Sequence, residues 1–266
     1  MVKAMLRRIF PSWLWSFCCR VYYSVVLLAA ELKWMFSRNK LDDPKTVPII
    51  INNFNRLSDL KRLIDSLVSR GYENIHILDN DSSYPPLLEY YDNCPFDVIR
   101  LGKNHGFQAI WQSGVYERFK DSYYVYTDSD MEIDECCPDD FMAHFIGVFK
   151  RHPLCHKVGF GLRIDNLPDC YAHKEEVIRH ESEFWEKEVE SGVYDAVIDT
   201  TFALYRPYTK GASSPYKFMC RTGHPYLINH LPWHLDLSNL DEEEAYYANH
   251  IAKSSTHWSE VAKSEK

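Results

Sequence analysis

The sequence lacks both glycine-rich motifs that commonly mark a phosphate-binding loop. Neither G-x-G-x-x-G nor G-x-x-x-x-G-K-[ST] occurs in its 266 residues, so a dinucleotide-binding domain and a P-loop have no sequence support. None of the eight cysteines forms a C-x-x-C pair, which argues against a structural zinc site. We expect the cysteines to stay reduced rather than form a disulfide framework, as is usual for an intracellular chain of this length.

Positive charge is scarce outside the N-terminal region. Residues 1–40 contain seven Lys and Arg against one Glu, a net charge of +6, which leaves −14 for the rest of a chain whose net charge is −8. The acidic body has no basic stripe, so we expect no nucleic-acid partner. A basic N-terminus on an acidic body indicates that only the N-terminal region of the chain contacts an anionic surface.

The chain also lacks a long uninterrupted apolar run. Phe10 to Phe36 is apolar and aromatic, but Arg20 divides it into runs of about ten residues, shorter than the roughly 20 needed to span a bilayer. Tryptophan and tyrosine with basic residues favour an amphipathic helix lying on a membrane surface. Three alternatives stay open: a helix packed on the body, a true span, and a signal peptide cleaved near Leu28-Ala29-Ala30.

After a polar connection at residues 37–45, strand and helix patterns alternate, which predicts an α/β fold with a mostly parallel sheet. We assign residues 46–250 to one domain with two halves, 46–135 and 136–250. Residues 251–266 form a polar tail. The predicted strands are Val47–Ile51, Ile75–Leu78, Asp97–Leu101 and Tyr123–Tyr126, and the predicted helices are Leu57–Leu67, Gly106–Phe119 and Pro138–Lys150.

Polar side chains follow each predicted strand. The most informative stretch is Tyr123 to Asp130, where an apolar strand runs into Asp128 and Asp130. Carboxyl ends of parallel strands meet at one sheet edge, where open α/β folds bind ligands. Two carboxylates there suit a divalent cation that holds a diphosphate, although an acidic turn after a strand has the same composition. The other clusters are Asn52-Asn53, Asp79 with Asp81, and Asn104.

This ordered set of motifs resembles the GT-A glycosyltransferases, specifically the family-two group of nucleotide-sugar enzymes. The resemblance covers about residues 46–135, and the second half resembles a bacterial subgroup whose substrates vary. It implies that residues 46–250 are the catalytic domain, with a nucleotide-binding half at 46–135 and an acceptor-binding half at 136–250. The matching pieces of the first half are Pro48–Arg56, Ile77–Ser82, Asn104–Gly106 with Ala109, and Thr127–Asp130; those of the second half are Asp199–Arg206 and His230–Trp233.

The resemblance implies a role for each matching residue. Asp79 would contact the base or ribose, and Asn53 and Asn104 would line the nucleotide pocket. Asp128 and Asp130 would bind Mg²⁺ or Mn²⁺ across the diphosphate, with Asp128 also part of the nucleotide site. The family's usual threonine-tyrosine-asparagine is replaced here by Asn53-Phe54-Asn55, which puts the role of Asn53 in doubt.

Two further candidates come from the second half. Asp199 is the candidate base, because its apolar flanks predict a raised carboxyl pKa; the alternatives are a capping role for Asp199 and Asp195 as the base. GT-A enzymes often complete the metal site with a late histidine. We favour His230 over His224 and His234, because it lies in the His-Leu-Pro-Trp stretch of the resemblance.

We therefore predict a metal-dependent, GT-A glycosyltransferase that uses a nucleotide-diphosphate sugar, with UDP as the nucleotide and inversion implied by the family. Its acceptor would be a surface glycan or lipid-linked molecule at the inner face of a bacterial membrane. Rival interpretations are a nucleotidyltransferase, which usually has a glycine-rich basic loop that Ile51–Phe54 lacks, and a catalytically silent, membrane-bound partner subunit.

Overall fold

Four parallel strands form the first half of the central sheet. A computed structural model describes residues 11–37, 41–211, 213–236 and 238–251. The predicted tail lies outside these residues except for Ile251. In the sheet order β3-β2-β1-β4, all neighbours run parallel. The strands are β1 (Ile49–Asn53), β2 (Ile75–Asp79), β3 (Asp97–Arg100) and β4 (Tyr124–Asp128).

The second half of the sheet is mixed. The order continues from β4 as β9-β6-β10-β8-β7, with β5 also paired to β10, and among these pairs only β6 and β10 run parallel. The predicted parallel sheet thus describes the first half, and one continuous sheet joins the two halves. The strands are β5 (Met131–Ile133), β6 (Lys157–Leu162), β7 (Glu188–Glu190), β8 (Val193–Asp195), β9 (Ala203–Tyr205) and β10 (Cys220–His230).

Helices cover both faces of the sheet. The three isoleucines of β1 are fully buried: Ile49 and Ile51 lie in one apolar cluster with residues of α2 and α5, and Ile50 lies in a second cluster on the opposite face. Burial on both faces explains the unbroken apolar run. The helices are α1 (Ser12–Met35), α2 (Ser58–Ser69), α3 (Pro85–Asp92), α4 (Ala109–Gln112), α5 (Phe141–Arg151), α6 (Lys174–Ser182) and α7 (Glu242–His250).

The predicted helix over Gly106–Phe119 is wrong in its extent. Only α4 is α-helical there, between two short 3₁₀ turns, Gly106–Gln108 and Val115–Arg118. Gly114 stands in the left-handed region with φ of 83°, which ends the helical path. The segment packs against β4, because the Phe107 carbonyl accepts a hydrogen bond from Tyr126 Oη at 3.0 Å.

The N-terminal helix α1 is attached to the body by one face. Glu31 Oε1 accepts a hydrogen bond from the buried Arg206 at 2.8 Å, and Trp34 packs edge-on against Tyr123. The other face is also apolar, so α1 is not a simple amphipathic helix; its exposed large residues include Trp13, Phe17, Tyr22, Val25, Leu28 and Leu32. By length and composition alone α1 could cross a membrane, and only 11% of its most apolar stretch is buried.

We expect Gly159→Ala to destabilise the protein by about 1–3 kcal/mol, because a Cβ at this position in β6 would lie 2.5 Å from the carbonyl oxygen of Phe202 on the neighbouring segment. Chemical denaturation measures the loss. Gly147→Ala is the matched control. It lies in α5, where alanine favours the helix by about 0.5–1 kcal/mol and only the movable end of Arg151 is close. Equal stability of the two variants would contradict the close packing of β6.

Candidate active site

The parallel register places the predicted polar residues side by side at one edge of the sheet. Asn53 lies opposite Asp79, and Asn52 lies opposite Asp128, each at the carboxyl end of its strand. Asp128 is the last residue of β4 rather than part of the following loop. The backbone therefore fixes these side chains in position, as expected for a site at the carboxyl ends of parallel strands.

Asp128 is held on both sides by neutral donors. Asn52 donates from Nδ2 to Asp128 Oδ1 at 3.2 Å, and the Thr200 hydroxyl donates to Asp128 Oδ2. The backbone amide of Asp128 donates to the Thr200 carbonyl at 3.0 Å, so the segment before β9 is tied to the end of β4. Burial, followed by the negative charge of Asp130, raises the pKa of Asp128 to about 8. Two carboxylates that repel one another favour a bound cation.

Asp130 lies close to His230, the histidine preferred from the sequence. Nε2 of His230 is 3.9 Å from Asp130 Oδ2, and β10 is fixed there because the Leu231 amide donates to the Asp130 carbonyl at 2.9 Å. Asp130 Oδ1 and His230 Nδ1 are buried and, among the described residues, have no hydrogen-bond partner. Burial lowers the pKa of His230, which keeps the imidazole neutral and its lone pair available.

These donors fit a hard divalent cation. Two carboxylates with one neutral imidazole are suitable ligands for Mn²⁺ or Mg²⁺, and the unpartnered Asp130 oxygen is a free ligand position. Within the described ranges, no three acidic, histidine or cysteine side chains are close enough to hold a metal unaided. Phosphate oxygens of a nucleotide would have to complete such a site, as is common for magnesium.

Arg56 and helix α7 close one side of the site. Arg56 is buried, donates to Asp59 at 2.9 Å and to Glu244 at 2.5 Å, and lies 3.9 Å from Asp130 Oδ2. Its guanidinium also stacks over Tyr247 of α7, 3.9 Å from the ring centre. The sequence interpretation missed this contribution. The acidic residues before Tyr247 resemble an ordinary solvated helix start, and nothing in their spacing indicates that Glu244 faces inward.

Helix α7 also caps the start of α2. The Glu243 carboxylate accepts from the amides of Leu57 and Ser58 at 2.8 and 2.9 Å, and Leu57 at the N-cap position makes no side-chain cap of its own. A carboxylate at the positive end of a helix is stabilising. The C-terminal helix is thereby joined to the segment that follows β1.

The three residues predicted to line the nucleotide pocket, Asp79, Asn53 and Asn104, have different surroundings. Asp79 is buried at the edge, burial raises its pKa, and its Oδ1 accepts from the Ser82 amide at 3.2 Å. Asn53 is fully buried and donates to Tyr91 Oη at 2.8 Å, so the asparagine that contacts Asp128 is its neighbour. Asn104 is exposed and its Oδ1 accepts from the Gly106 amide at 2.8 Å, as a turn cap.

Asp199 directly precedes Thr200, whose hydroxyl and carbonyl are both hydrogen-bonded to Asp128. It is exposed, and the apolar enclosure expected from its flanking residues is absent. The backup candidate Asp195 ends β8 and pairs with Lys187. Of the other late histidines, His224 is exposed and only His230 of the three contacts Asp130 in the described structure. Trp233, at the end of the same His230–Trp233 stretch, is buried in the core.

Comparison with known proteins identifies the class of this fold and site. Residues 49–193, more than half of the chain, match the glycosyl transferase family 2, and the chain belongs to that family. Its fold is the GT-A fold that the sequence predicted. The family assignment decides against the nucleotidyltransferase interpretation. A search of curated proteins finds no match to this chain.

The solved structures that are similar to this chain at low identity include the following three. A mannosyltransferase from Pyrobaculum calidifontis in complex with GDP-Man and Mn²⁺ is 15% identical, with a TM-score of 0.40, over 72% of this chain and 53% of the enzyme. TarS 1-349 from S. aureus is 13% identical, with a TM-score of 0.43, over 76% and 68% of the two chains. GalNAc-T7 with UDP, GalNAc and Mn²⁺ is 14% identical, with a TM-score of 0.48, over 73% and 44%. The chain thus spans about half the length of the mannosyltransferase.

We expect Asp128→Asn to stabilise the metal-free protein at pH 8 by about 1–2 kcal/mol. The raised pKa means that the folded state holds a proton between about pH 4 and pH 8 that the unfolded state has released. Stability from this group is therefore lost as the pH rises through that range, and asparagine removes the loss. Thermal unfolding with a chelator at several pH values measures it. Asp42→Asn, an exposed control, should change stability little. A gain for Asp128→Asn that is independent of pH would contradict the assignment.

Proposed function

We propose that this glycosyltransferase moves a sugar from a nucleotide-diphosphate sugar, with UDP as the nucleotide, to a surface glycan or lipid-linked acceptor. The observation that carries the proposal is the pair of carboxylates at the end of β4, Asp128 and Asp130, with His230 beside them. A diphosphate needs positive charge at this position. The guanidinium of Arg56 lies 3.9 Å from Asp130, but it is already paired with Asp59 and Glu244.

In this proposal Asp128, Asp130 and His230 hold Mn²⁺ or Mg²⁺. When bound, the cation acts as a Lewis acid on the leaving diphosphate, an effect worth several kcal/mol. Asn52 and Thr200 orient Asp128, because each of its two carboxylate oxygens already accepts one hydrogen bond. Holding the ligands in place before the nucleotide arrives reduces the ordering that binding requires.

The nucleoside would lie over the ends of β1 and β2. Asp79 lies in the register position next to Asn53 and is suited to accept hydrogen bonds from ribose hydroxyls or a base N–H. Phe54 and Tyr247 pack edge-on with ring centres 6.3 Å apart, and we propose that these rings form the outer wall of the nucleotide pocket. In this proposal Asn104 and Asn53 do not touch the nucleotide. Asn104 would stabilise the turn at Gly106, and Asn53 would position Tyr91 through their hydrogen bond.

Asp199 is the proposed base of an inverting reaction. This role is supported by its position one residue before Thr200, which is hydrogen-bonded to Asp128, and by its exposure, which leaves it open to an acceptor hydroxyl. A carboxylate there would take the proton of the attacking hydroxyl as the sugar is transferred.

We further propose that α1 places the enzyme on the inner face of a bacterial membrane. The helix is fixed to the body through Glu31 and Arg206, while its outer face exposes large apolar residues such as Trp13 and Phe17. Aromatic rings of this kind sit well at the headgroup level, and the basic N-terminal region favours anionic lipid. A lipid-linked acceptor would then be within reach of the site.

We expect UDP to bind the wild-type protein in the presence of Mn²⁺ and to bind Asp130→Ala at least tenfold more weakly, a loss of about 1.4 kcal/mol or more. Removing this carboxylate leaves the cation with one acidic ligand. Isothermal titration calorimetry with and without Mn²⁺ measures the difference. The exposed Asp169→Ala should bind as the wild type does. Equal affinity of Asp130→Ala and wild type would refute the proposed metal site, whereas absence of UDP binding in every variant would direct the screen to GDP and CDP.

We expect Asp199→Asn to lower the turnover number by about 10²- to 10⁴-fold, because general base catalysis contributes that much. UDP affinity should stay within about twofold of wild type, since the amide keeps the size of the side chain. Release of UDP from a donor sugar that the wild type consumes gives the rate. Asp195→Asn on the same segment is the matched control and should retain activity. A fully active Asp199→Asn would remove Asp199 as the base.

A further inference from the structure

The segment that carries the proposed base has no regular structure of its own. The described residues 196–202 connect β8 to β9 and contain neither helix nor strand. The Asp199 side chain is exposed, so packing against the body does not fix it. Its position is therefore set through the backbone of the segment, whose polar groups need partners from outside regular structure.

Side chains from three other segments donate to three consecutive carbonyls of residues 197–199. The donors come from β6, from the connection between β9 and β10, and from β10 itself. The pairs are Arg221 Nε with Val197 at 2.7 Å, the Ser213 hydroxyl with Ile198, and the Lys157 ammonium with Asp199 at 3.0 Å. Since the Thr200 carbonyl accepts from the amide of Asp128, the backbone is held at every residue from 197 to 200.

Arg221 is itself held from several sides. While its Nε donates to Val197, its Nη1 donates to Glu181 of α6 at 2.5 Å. The guanidinium also lies over the ring of Phe184, 4.3 Å from the ring centre. Because the N–H groups of a guanidinium lie at fixed angles in one plane, rotation of the group would break at least one of these contacts.

Strand register brings Arg221 next to the segment. Arg221 of β10 lies opposite Gly159 of β6 on one side and opposite Tyr194 of β8 on the other. A Cβ at Gly159 would lie 2.5 Å from the carbonyl oxygen of Phe202, so the end of the segment packs directly against β6. Arg221 therefore reaches the Val197 carbonyl from a fixed position in the sheet.

Stability alone does not account for the buried pair of Arg221 and Glu181, which are 3% and 5% exposed. Replacing a buried ion pair by apolar side chains of similar volume is often neutral or stabilising, because both charges lose their hydration. One attested use of buried charged groups is to fix a single arrangement of the groups around them. Here the pair directs Nε at the Val197 carbonyl, two residues before Asp199.

We propose that Arg221, held by Glu181, is a positioning residue for Asp199: it fixes the backbone at Val197 and thereby the direction in which the base faces the acceptor. Arg221 acts through the base rather than on the reacting atoms, and this inference rests on the proposed role of Asp199. A displacement of about 1 Å at a reacting group can lower the rate about 100-fold, so a small loosening of the segment is measurable.

Arg221→Lys tests this role in the full chain. Lysine keeps a positive charge beside Glu181, but an ammonium lacks the planar fork that contacts Glu181 and Val197 together. We expect the turnover number to fall about tenfold, with the KM for the donor sugar and the UDP affinity in Mn²⁺ within about twofold of wild type. Arg206→Lys is the matched control and should keep the wild-type values. Arg206 is equally buried, pairs with Glu31 and donates from Nε to a carbonyl outside the segment.

Two further measurements separate positioning from a general loss of structure. Hydrogen–deuterium exchange, followed by mass spectrometry, should be faster at residues 196–200 in Arg221→Lys and unchanged there in Arg206→Lys. The double variant with Arg221→Lys and Asp199→Asn should be no slower than Asp199→Asn alone, because a residue that acts through the base has no further effect once the base is gone.

Glu181→Asp tests the same contact if Arg221→Lys does not fold. It keeps the charge and shortens the partner of Arg221 by one methylene, so it should change turnover and exchange in the same direction.

Exchange equal to wild type at residues 196–200, or a loss of rate in Arg221→Lys that adds fully to that of Asp199→Asn, would overturn the proposal. A fully active Asp199→Asn would refute the proposed base itself, and the exchange measurement would then still decide whether Arg221 fixes the segment.

Discussion

The position of Asp128 between two neutral donors is the constraint on which the site depends. Asn52 reaches it from β1 and Thr200 from the segment before β9, so one carboxylate joins the parallel and mixed halves of the sheet. The same contact brings a nearby acidic residue of each segment into place: Asp130, which follows β4, and Asp199, which precedes Thr200. The chemistry proposed here therefore follows from strand register rather than from a separately folded loop.

Charge explains the surroundings of this contact. Several acidic side chains lie close to this end of the sheet, and burial, together with the negative charge of Asp130, raises the pKa of Asp128 to about 8 and that of Asp59 to about 7. Arg56 compensates part of this charge and simultaneously ties α7 to the site through Glu244 and Tyr247. A cation with its diphosphate would add compensation where Asp130 has a free oxygen.

The sequence predicted the part of the fold that local pattern determines. The apolar run Ile49–Ile51 and the acidic end of β4 identified the parallel sheet and the end of it at which Asp79 and Asp128 both lie. It did not distinguish Asn52 from Asn53, because neighbouring residues of a strand point to opposite faces and both asparagines follow the same apolar run. The short strands β7 to β9 have too few residues for a period to be detected.

Long-range contacts account for the remaining differences. Glu243 and Glu244 reach segments almost 190 residues earlier in the chain, and no local signal indicates this. Asp199 is exposed although its neighbours are apolar, since burial of Ile198 and Thr200 turns the residue between them outward. The division into halves at residue 135 and the roles of individual site residues stay predictions.

The most direct test of the account is a crystal structure with UDP and Mn²⁺, measured at the manganese absorption edge. The account predicts one anomalous peak bounded by Asp128, Asp130 and His230, with both phosphates of UDP in contact with the same ion and the ribose beside Asp79. A manganese peak elsewhere, or UDP bound away from the carboxyl ends of β1, β2 and β4, would contradict it.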